Sequence, residues 1–195
     1  MFPSWVGLLP DAVALDLQDR WNEPHRDYHS ATHLVAGMEA LDLLGAGRLE
    51  RIAFWFHDAV HSNSTPTDEE ASAVLVHELL HEHLPEADRV EVGRLVLLTV
   101  GHRVEPGDEA GARVCDADLA SLGADWATYV RNVEGIRREL PFLSEEQWRA
   151  GRSVFLSTFL EREPIFATDL GRRTWEARAR ANLERELGLL QVPTP

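Results

Sequence analysis

An all-α fold is what this sequence predicts, and three observations predict it. Apolar residues recur at spacings of three and four throughout the chain, the mark of helices with one buried face. Alternating runs rich in Val, Ile and Thr, flanked by Asn-Gly or Asp-Gly turns, are missing, so nothing reads as a strand hairpin. Prolines stand in the gaps between the periodic segments, at Pro24, Pro66, Pro85, Pro106, Pro141 and Pro164, where a residue without an N–H interrupts a helix.

Taken in order, the periodic segments predict helices over 10–22, 30–45, 48–60, 67–83, 87–101, 110–122, 125–140, 145–161 and 169–188. Ser30 is placed to cap the second helix. Thr67 with Glu70 resembles a capping box at the start of the fourth, and Ser144 with Gln147 another at the start of the eighth. Connections are short, no internal repeat is visible, and no stretch reads as a long linker; only the tail Val192-Pro195 is expected to be loose. At 195 residues the chain is long enough for a substantial core and short of the size at which cores split. The expectation is one domain over 1–195, a bundle of eight to nine helices.

Composition narrows the chemistry. Apolar residues make up 44% and charged residues 27% of the chain, as in soluble globular proteins and unlike disordered ones. The longest apolar stretches, Ile52-Phe56 and Leu95-Val100, are far shorter than the roughly 20 residues that span a bilayer, and the N-terminus lacks a basic leader. Together with a single cysteine, Cys115, which reads as a small buried hydrophobe, these features lead us to expect a soluble cytoplasmic protein. Acidic residues outnumber basic ones by 33 to 19, for a net charge of −14. A surface of that sign repels polymeric nucleic acid and anionic membranes. The chain contains no lysine, which excludes Schiff-base chemistry, a lysine base and the lysine of a phosphate-binding loop. Phosphate contacts would have to come from arginine, histidine, backbone N–H or metal.

Seven of the nine histidines lie before residue 82. His29 and His33 are four apart, and on a helix that spacing sets two imidazoles on one face, as a shared metal or phosphate pocket requires; a polar helix start is the plainer alternative. The apolar segment Ile52-Ala53-Phe54-Trp55-Phe56 ends in His57-Asp58. A carboxylate buried after such a run needs a cation or strong donors, which a divalent metal supplies to both residues; a His–Asp ion pair at a helix end is equally consistent. In Val114-Cys115-Asp116-Ala117-Asp118-Leu119, two carboxylates sit two apart and point to different faces, so one is expected to be a ligand and the other a supporting or capping group. Two histidines and two aspartates suit Mn, Fe, Co, Ni, Zn or Mg. Arg26 is the arginine best placed in sequence to meet an anion. Arg137, Arg152 and Arg180 read as structural, with Arg137 near Glu134 and Glu139. The six tryptophans, Trp5 included, read mostly as core. His102, after an apolar helix, is either a pocket residue, a ligand to a second metal or an ordinary helix-terminal histidine.

An early histidine, a His-Asp dipeptide and a later helical aspartate resemble the HD superfamily, His33, His57 and Asp58 matching its pattern. Further segments resemble one subgroup, the predicted metal-dependent HD phosphohydrolases, over nearly the whole chain: Pro24-His25-Arg26-Asp27-Tyr28-His29, His57-Asp58-Ala59-Val60, Asp68-Glu69-Glu70-Ala71-Ser72-Ala73, Asp116 to Gly123, Gly151-Arg152 and Ala179-Arg180-Ala181-Asn182-Leu183. The sequence departs at His61, where the subgroup carries tyrosine, and at Glu69, where it carries asparagine. The resemblance implies hydrolysis of a small phosphorylated molecule or nucleotide by a metal-activated water. It assigns the metal to His33, His57, Asp58 and either Asp116 or Asp118. Glu70 would be a general base or water-orienting acceptor, and His29, His61 and His102 would donate to phosphate or leaving group. An HD-fold iron oxygenase and a catalytically silent nucleotide-binding module are the alternatives, and homo-oligomerisation is left open.

Overall fold

The structure, a computed structural model, describes residues 7–191. Within these residues the chain forms nine helices and no strand: α1 (Asp11–Trp21), α2 (Ala31–Leu43), α3 (Arg48–Phe56), α4 (Thr67–Leu80), α5 (Glu86–Leu98), α6 (Glu109–Leu119), α7 (Trp126–Glu139), α8 (Glu145–Leu160) and α9. The last comprises a first turn, Asp169–Gly171, a π-helical stretch, Arg172–Glu176, and the helix Ala177–Gln191. A 3₁₀ turn, Ala120–Gly123, extends α6. Trp5 and the tail Val192-Pro195 lie outside the described residues. No helix among those described is long and apolar enough to cross a membrane.

The main departure from the predicted spans is informative. The third helix was expected to run to residue 60 but stops at Phe56. Arg26, its side chain fully buried, donates Nη1 to the Asp58 carbonyl at 2.6 Å and Nη2 to the Ala59 carbonyl at 3.2 Å. A guanidinium therefore takes the carbonyls that a continuing helix would have paired with its own N–H groups. Ser72 Oγ accepts the Val60 N–H. His57 and Asp58 are thus held in a tight turn at the end of α3.

Capping followed the expectation at one site and departed from it at two. Ser144 and Gln147 form the expected reciprocal box at α8, and Asp108 and Asp125 cap α6 and α7. Ser30 flanks α2, but its hydroxyl donates to the Asp27 carbonyl instead of capping. Thr67 is already the first residue of α4. The neighbouring Asp68 turns back to accept from Ser62 N, Ser62 Oγ and Ser64 N, so that carboxylate organises the preceding loop. Arg137 also differs: it donates to the carbonyls of Leu140 and Leu143, not to Glu134 or Glu139. Arg152 and Arg180 are structural, paired with Glu186 and Glu176.

Helices α2, α3, α5 and α6 pack against one another around fully buried Leu34, Met38, Leu41, Ile52, Phe54, Phe56, Leu95 and Val114. Each such side chain contributes about 1.5–3 kcal/mol by leaving water. Trp21, Trp55, Trp148 and Trp175 are buried, as is Cys115. On the other side, α8 packs on α9, and α9 on the 3₁₀ turn. Asn182 Nδ2 donates to the carbonyls of Leu122 and Ala124 at 2.8 and 2.9 Å, fixing that turn. The turn and α9 touch at Gly123, where an added Cβ would lie 2.6 Å from Trp175 Cβ and 2.9 Å from its backbone. Because backbone cannot swing aside, Gly123→Ala is expected to destabilise the protein by about 1–3 kcal/mol. A lowered urea midpoint at unchanged denaturant slope checks this.

Candidate metal centre

Three helices deliver one cluster. His33 projects from α2, His57 and Asp58 follow α3, and Asp118 lies in the last turn of α6. His33 Nε2 is 3.2 Å from His57 Nε2 and 3.0 Å from Asp118 Oδ1. His57 Nε2 is 3.1 Å from Asp58 Oδ2 and 3.4 Å from Asp118 Oδ1, and His33 Nε2 is 3.9 Å from Asp58 Oδ2. Metal bonds of about 2.0–2.2 Å place neighbouring ligand atoms roughly 3.0 Å apart at right angles and roughly 3.5 Å apart in a tetrahedron. The observed spacings bracket those values.

Donor chemistry agrees with the spacing. His57 Nδ1 donates to the Phe54 carbonyl at 2.8 Å, which leaves Nε2 as the nitrogen aimed at the cluster and fixes the ring. Both imidazoles are buried, so two ring nitrogens and two carboxylates converge where little water can compensate them. Burial disfavours a charged His57, but the Asp58 and Asp118 carboxylates outweigh it and hold its pKa well above the ordinary value. Burial likewise pushes the Asp118 carboxyl up, and the charge of His57 with hydrogen bonds from His102, His33 and His57 carries it well below the usual range. Asp58 is depressed in the same way, chiefly by His57. The group attracts positive charge strongly, and His33, His57 and Asp58 together satisfy the spacing of a metal-holding set.

The two aspartates of α6 separate by role. Asp118 joins the cluster. Asp116, buried, accepts from Ala167 N at 2.7 Å, Thr168 N at 2.8 Å and Thr168 Oγ at 2.6 Å, and so pins the loop that leads into α9. An added Cβ on Gly171 would fall 2.3 Å from Asp116 Oδ2, so α9 approaches that carboxylate closely.

His102, just beyond α5, stands with φ of 49°, a left-handed conformation costly for a residue with a side chain. Arg162 holds it by donating to the carbonyls of Gly101 and His102. The result is that His102 Nε2 donates to Asp118 Oδ2 at 2.7 Å. The chain's sparse α5–α6 loop gives no sequence pattern for this strained placement.

A second cluster adjoins the first. Glu139, the last residue of α7 and fully buried in its side chain, accepts through Oε1 from the backbone N–H groups of Asp27, Tyr28 and His29 at 2.6, 2.8 and 2.9 Å. Through Oε2 it accepts from His29 Nδ1 at 2.6 Å. His61 Nε2 lies 3.6 Å from the same oxygen, too far for a good hydrogen bond. His29, His61 and Glu139 also satisfy metal spacing. Glu139 was not singled out in the sequence, where it sits among the charges of an amphipathic helix. Burial would push its carboxyl up, but the His29 bond and the closeness of His61 hold it well below the ordinary range. Burial opposes a charged His29, yet the Glu139 bond and the Asp58 charge raise its pKa.

Two expected participants are placed elsewhere. Glu70 is exposed on α4 and is not brought to either cluster. Arg26 spends its guanidinium on the Glu23 carboxylate and the carbonyls of His29, Asp58 and Ala59, so it shapes the site and is already engaged within the protein. His29, by contrast, joins His102 and Asp118 in lining a cavity of about 340 Å³. A larger hollow of about 680 Å³ lies beyond His102 but meets neither Asp118 nor His29, and one of about 590 Å³ reaches His33 alone of the cluster; the 340 Å³ cavity is the one that meets Asp118, His102 and His29 together. Comparison with protein-family models, with curated proteins and with solved structures finds no match to this chain.

Two outcomes are expected. Asp118→Ala should abolish stoichiometric binding of divalent metal, whereas Asp116→Ala should keep the metal but cost about 2–3 kcal/mol of stability, because buried N–H groups at Ala167 and Thr168 lose their acceptor. Elemental analysis beside denaturant unfolding separates the two. The His29–Glu139 pair sets a pH window. Stability from the depressed Glu139 is present above the ordinary value of 4.5 and is lost as pH falls through its lower folded value. Stability from the raised His29 is present below 6.5 and is lost as pH rises through its higher folded value. Unfolding midpoints across pH should flatten at both ends in Glu139→Gln.

Proposed function

We propose that this chain is a divalent-metal-dependent phosphohydrolase acting on a phosphate ester or nucleotide. The observation that carries this reading is the convergence of His33, His57 and Asp58 at ligand spacing, with Asp118 Oδ1 3.0 and 3.4 Å from the two imidazoles, beside a cavity large enough for a small molecule. A bound divalent ion would neutralise charge on a phosphoryl oxygen and acidify a water. Mn, Fe, Co, Ni, Zn and Mg all suit this mixed N/O set.

The remaining tasks fall to the protein's own groups. His33, His57, Asp58 and Asp118 hold the ion. The Phe54 carbonyl and the His102 imidazole orient His57 and Asp118. Glu139 accepts the hydrogen bond from His29 Nδ1, which leaves Nε2 as the nitrogen available to a molecule in the cavity. A protonated His29 is then suited to give its Nε2 proton to the departing oxygen as the oxygen of water bonds to phosphorus and the P–O ester bond breaks, the water's own proton passing to solvent. With Glu70 exposed, no role is assigned to it. His61 supports His29 by ring contact at 4.3 Å between centroids.

A second reading, an HD-type iron oxygenase, draws on His102, a further imidazole set against Asp118 at 2.7 Å. Phosphate release decides between them. Chelator-washed protein reloaded with Mn²⁺, Co²⁺, Ni²⁺ or Mg²⁺ should release phosphate from a panel of esters and nucleotides. His29→Ala should lower kcat by about 10²–10⁴ while retaining metal. Tight iron with O₂ uptake and no phosphate release would overturn the hydrolase in favour of the oxygenase.

A further inference from the structure

The hydrolase reading leaves the organic part of the substrate open, and the cavity beside the cluster bears on it. At one end stand His29, His102 and Asp118; the walls are hydrocarbon, from Leu122, Val133, Ile136, Leu140, Leu143 and Phe155. Arg152 is the one guanidinium on the wall, and it is already committed. Its Nε and Nη2 donate to Glu186 at 2.8 and 3.0 Å, and Nη2 also approaches the Tyr129 hydroxyl. The Tyr28 and Ser121 hydroxyls are bonded to each other at 2.7 Å. What remains on the walls is uncharged, the amides of Asn132 and Gln147.

Positive charge is therefore confined to the end of the cavity where the histidines and the bound ion would be. One phosphoryl group can be met there. A second or third would extend toward hydrocarbon with no counter-charge, and a ribose and base would shed several hydrogen-bonded waters against walls that return few of those bonds. We infer that the substrate is a phosphomonoester whose organic group is apolar and about one or two rings in size, and that the α7–α8 cavity is its binding subsite. This rests on the hydrolase reading for the phosphoryl end; the subsite itself rests on the cavity.

Steady-state kinetics of metal-loaded protein on 1-naphthyl phosphate, hexyl phosphate, AMP and ATP test it, with calorimetric titration of 1-naphthol alongside. The expected result is a kcat/KM for 1-naphthyl phosphate roughly tenfold or more above that for AMP, with ATP poorer still. Ile136 is half-buried, so Ile136→Phe fills the cavity without entering the core. That variant should keep its metal and unfolding midpoint, raise KM for 1-naphthyl phosphate roughly tenfold and lose 1-naphthol binding. Preference for AMP or ATP overturns the inference while the hydrolase reading stands. Unchanged KM and unchanged 1-naphthol binding in Ile136→Phe do the same. If no ester is hydrolysed, the hydrolase reading falls, and the 1-naphthol titration decides the subsite alone: binding lost in Ile136→Phe supports it, and no binding to the parent overturns it.

Discussion

Buried negative charge is the constraint on which this structure depends. Asp118, Asp116, Asp58 and Glu139 all stand in or against the core, where an uncompensated carboxylate costs several kcal/mol, and each is answered differently. Asp116 is answered by N–H and O–H groups of the loop before α9, so its charge becomes a tether between α6 and α9. Glu139 is answered by three successive backbone N–H groups and by His29. Asp58 and Asp118 are answered by imidazoles, whose ring nitrogens are also of the kind that could hold a metal ion. The difference between structural and chemical carboxylates here lies in the partner: fixed N–H donors for the first kind, exchangeable nitrogen donors for the second.

That distinction explains how one short segment serves both clusters. The stretch 23–33 turns from α1 into α2, and Glu139 clamps its backbone from α7 while Arg26 clamps the turn after α3. Arg26 reaches the Asp58 and Ala59 carbonyls, and Glu139 reaches the Asp27, Tyr28 and His29 N–H groups. His29 is therefore held by opposite charges, Glu139 on its N–H and Arg26 on its carbonyl, and the same Arg26 ties this segment to the turn that carries Asp58. Since backbone position is set before any ligand arrives, little reorganisation is left for binding, which is the condition for effective electrostatic stabilisation.

Much of this was legible in the sequence, and the reasons for the rest are physical. Helix positions follow from apolar periodicity, His57 and Asp58 stand out because an apolar run ends in them, and His33 because it lies four residues from His29 and matches the resembled pattern. Asp116 and Asp118 were expected to take different parts, since residues two apart on a helix diverge, but which one faces the histidines depended on where α9 packs. Glu139 looked like one surface charge among several in Glu134-Gly135-Ile136-Arg137-Arg138-Glu139; its role arises from partners about 110 positions away. Arg26 and Glu70 erred in the same manner. Charge type and local pattern suggested contact with substrate, whereas tertiary packing buried the first against carbonyls and turned the second to solvent.

The arginines complete the argument. With no lysine, every fixed cation is a guanidinium, and those nearest the site are already engaged: Arg26 by carbonyls, Arg152 by Glu186, Arg162 by the carbonyls that hold His102. None is left to neutralise Asp58 and Asp118. In a chain of net charge −14, the field at the cluster then concentrates small cations and disfavours highly charged anions. Histidine is the one side chain that can both tolerate this field as a cation and yield its lone pair to a metal near neutral pH. Three histidines, His33, His57 and His102, gathered around Asp58 and Asp118, with His29 beside them on Glu139, thus suit a lysine-free acidic protein if its site is to exchange protons for metal.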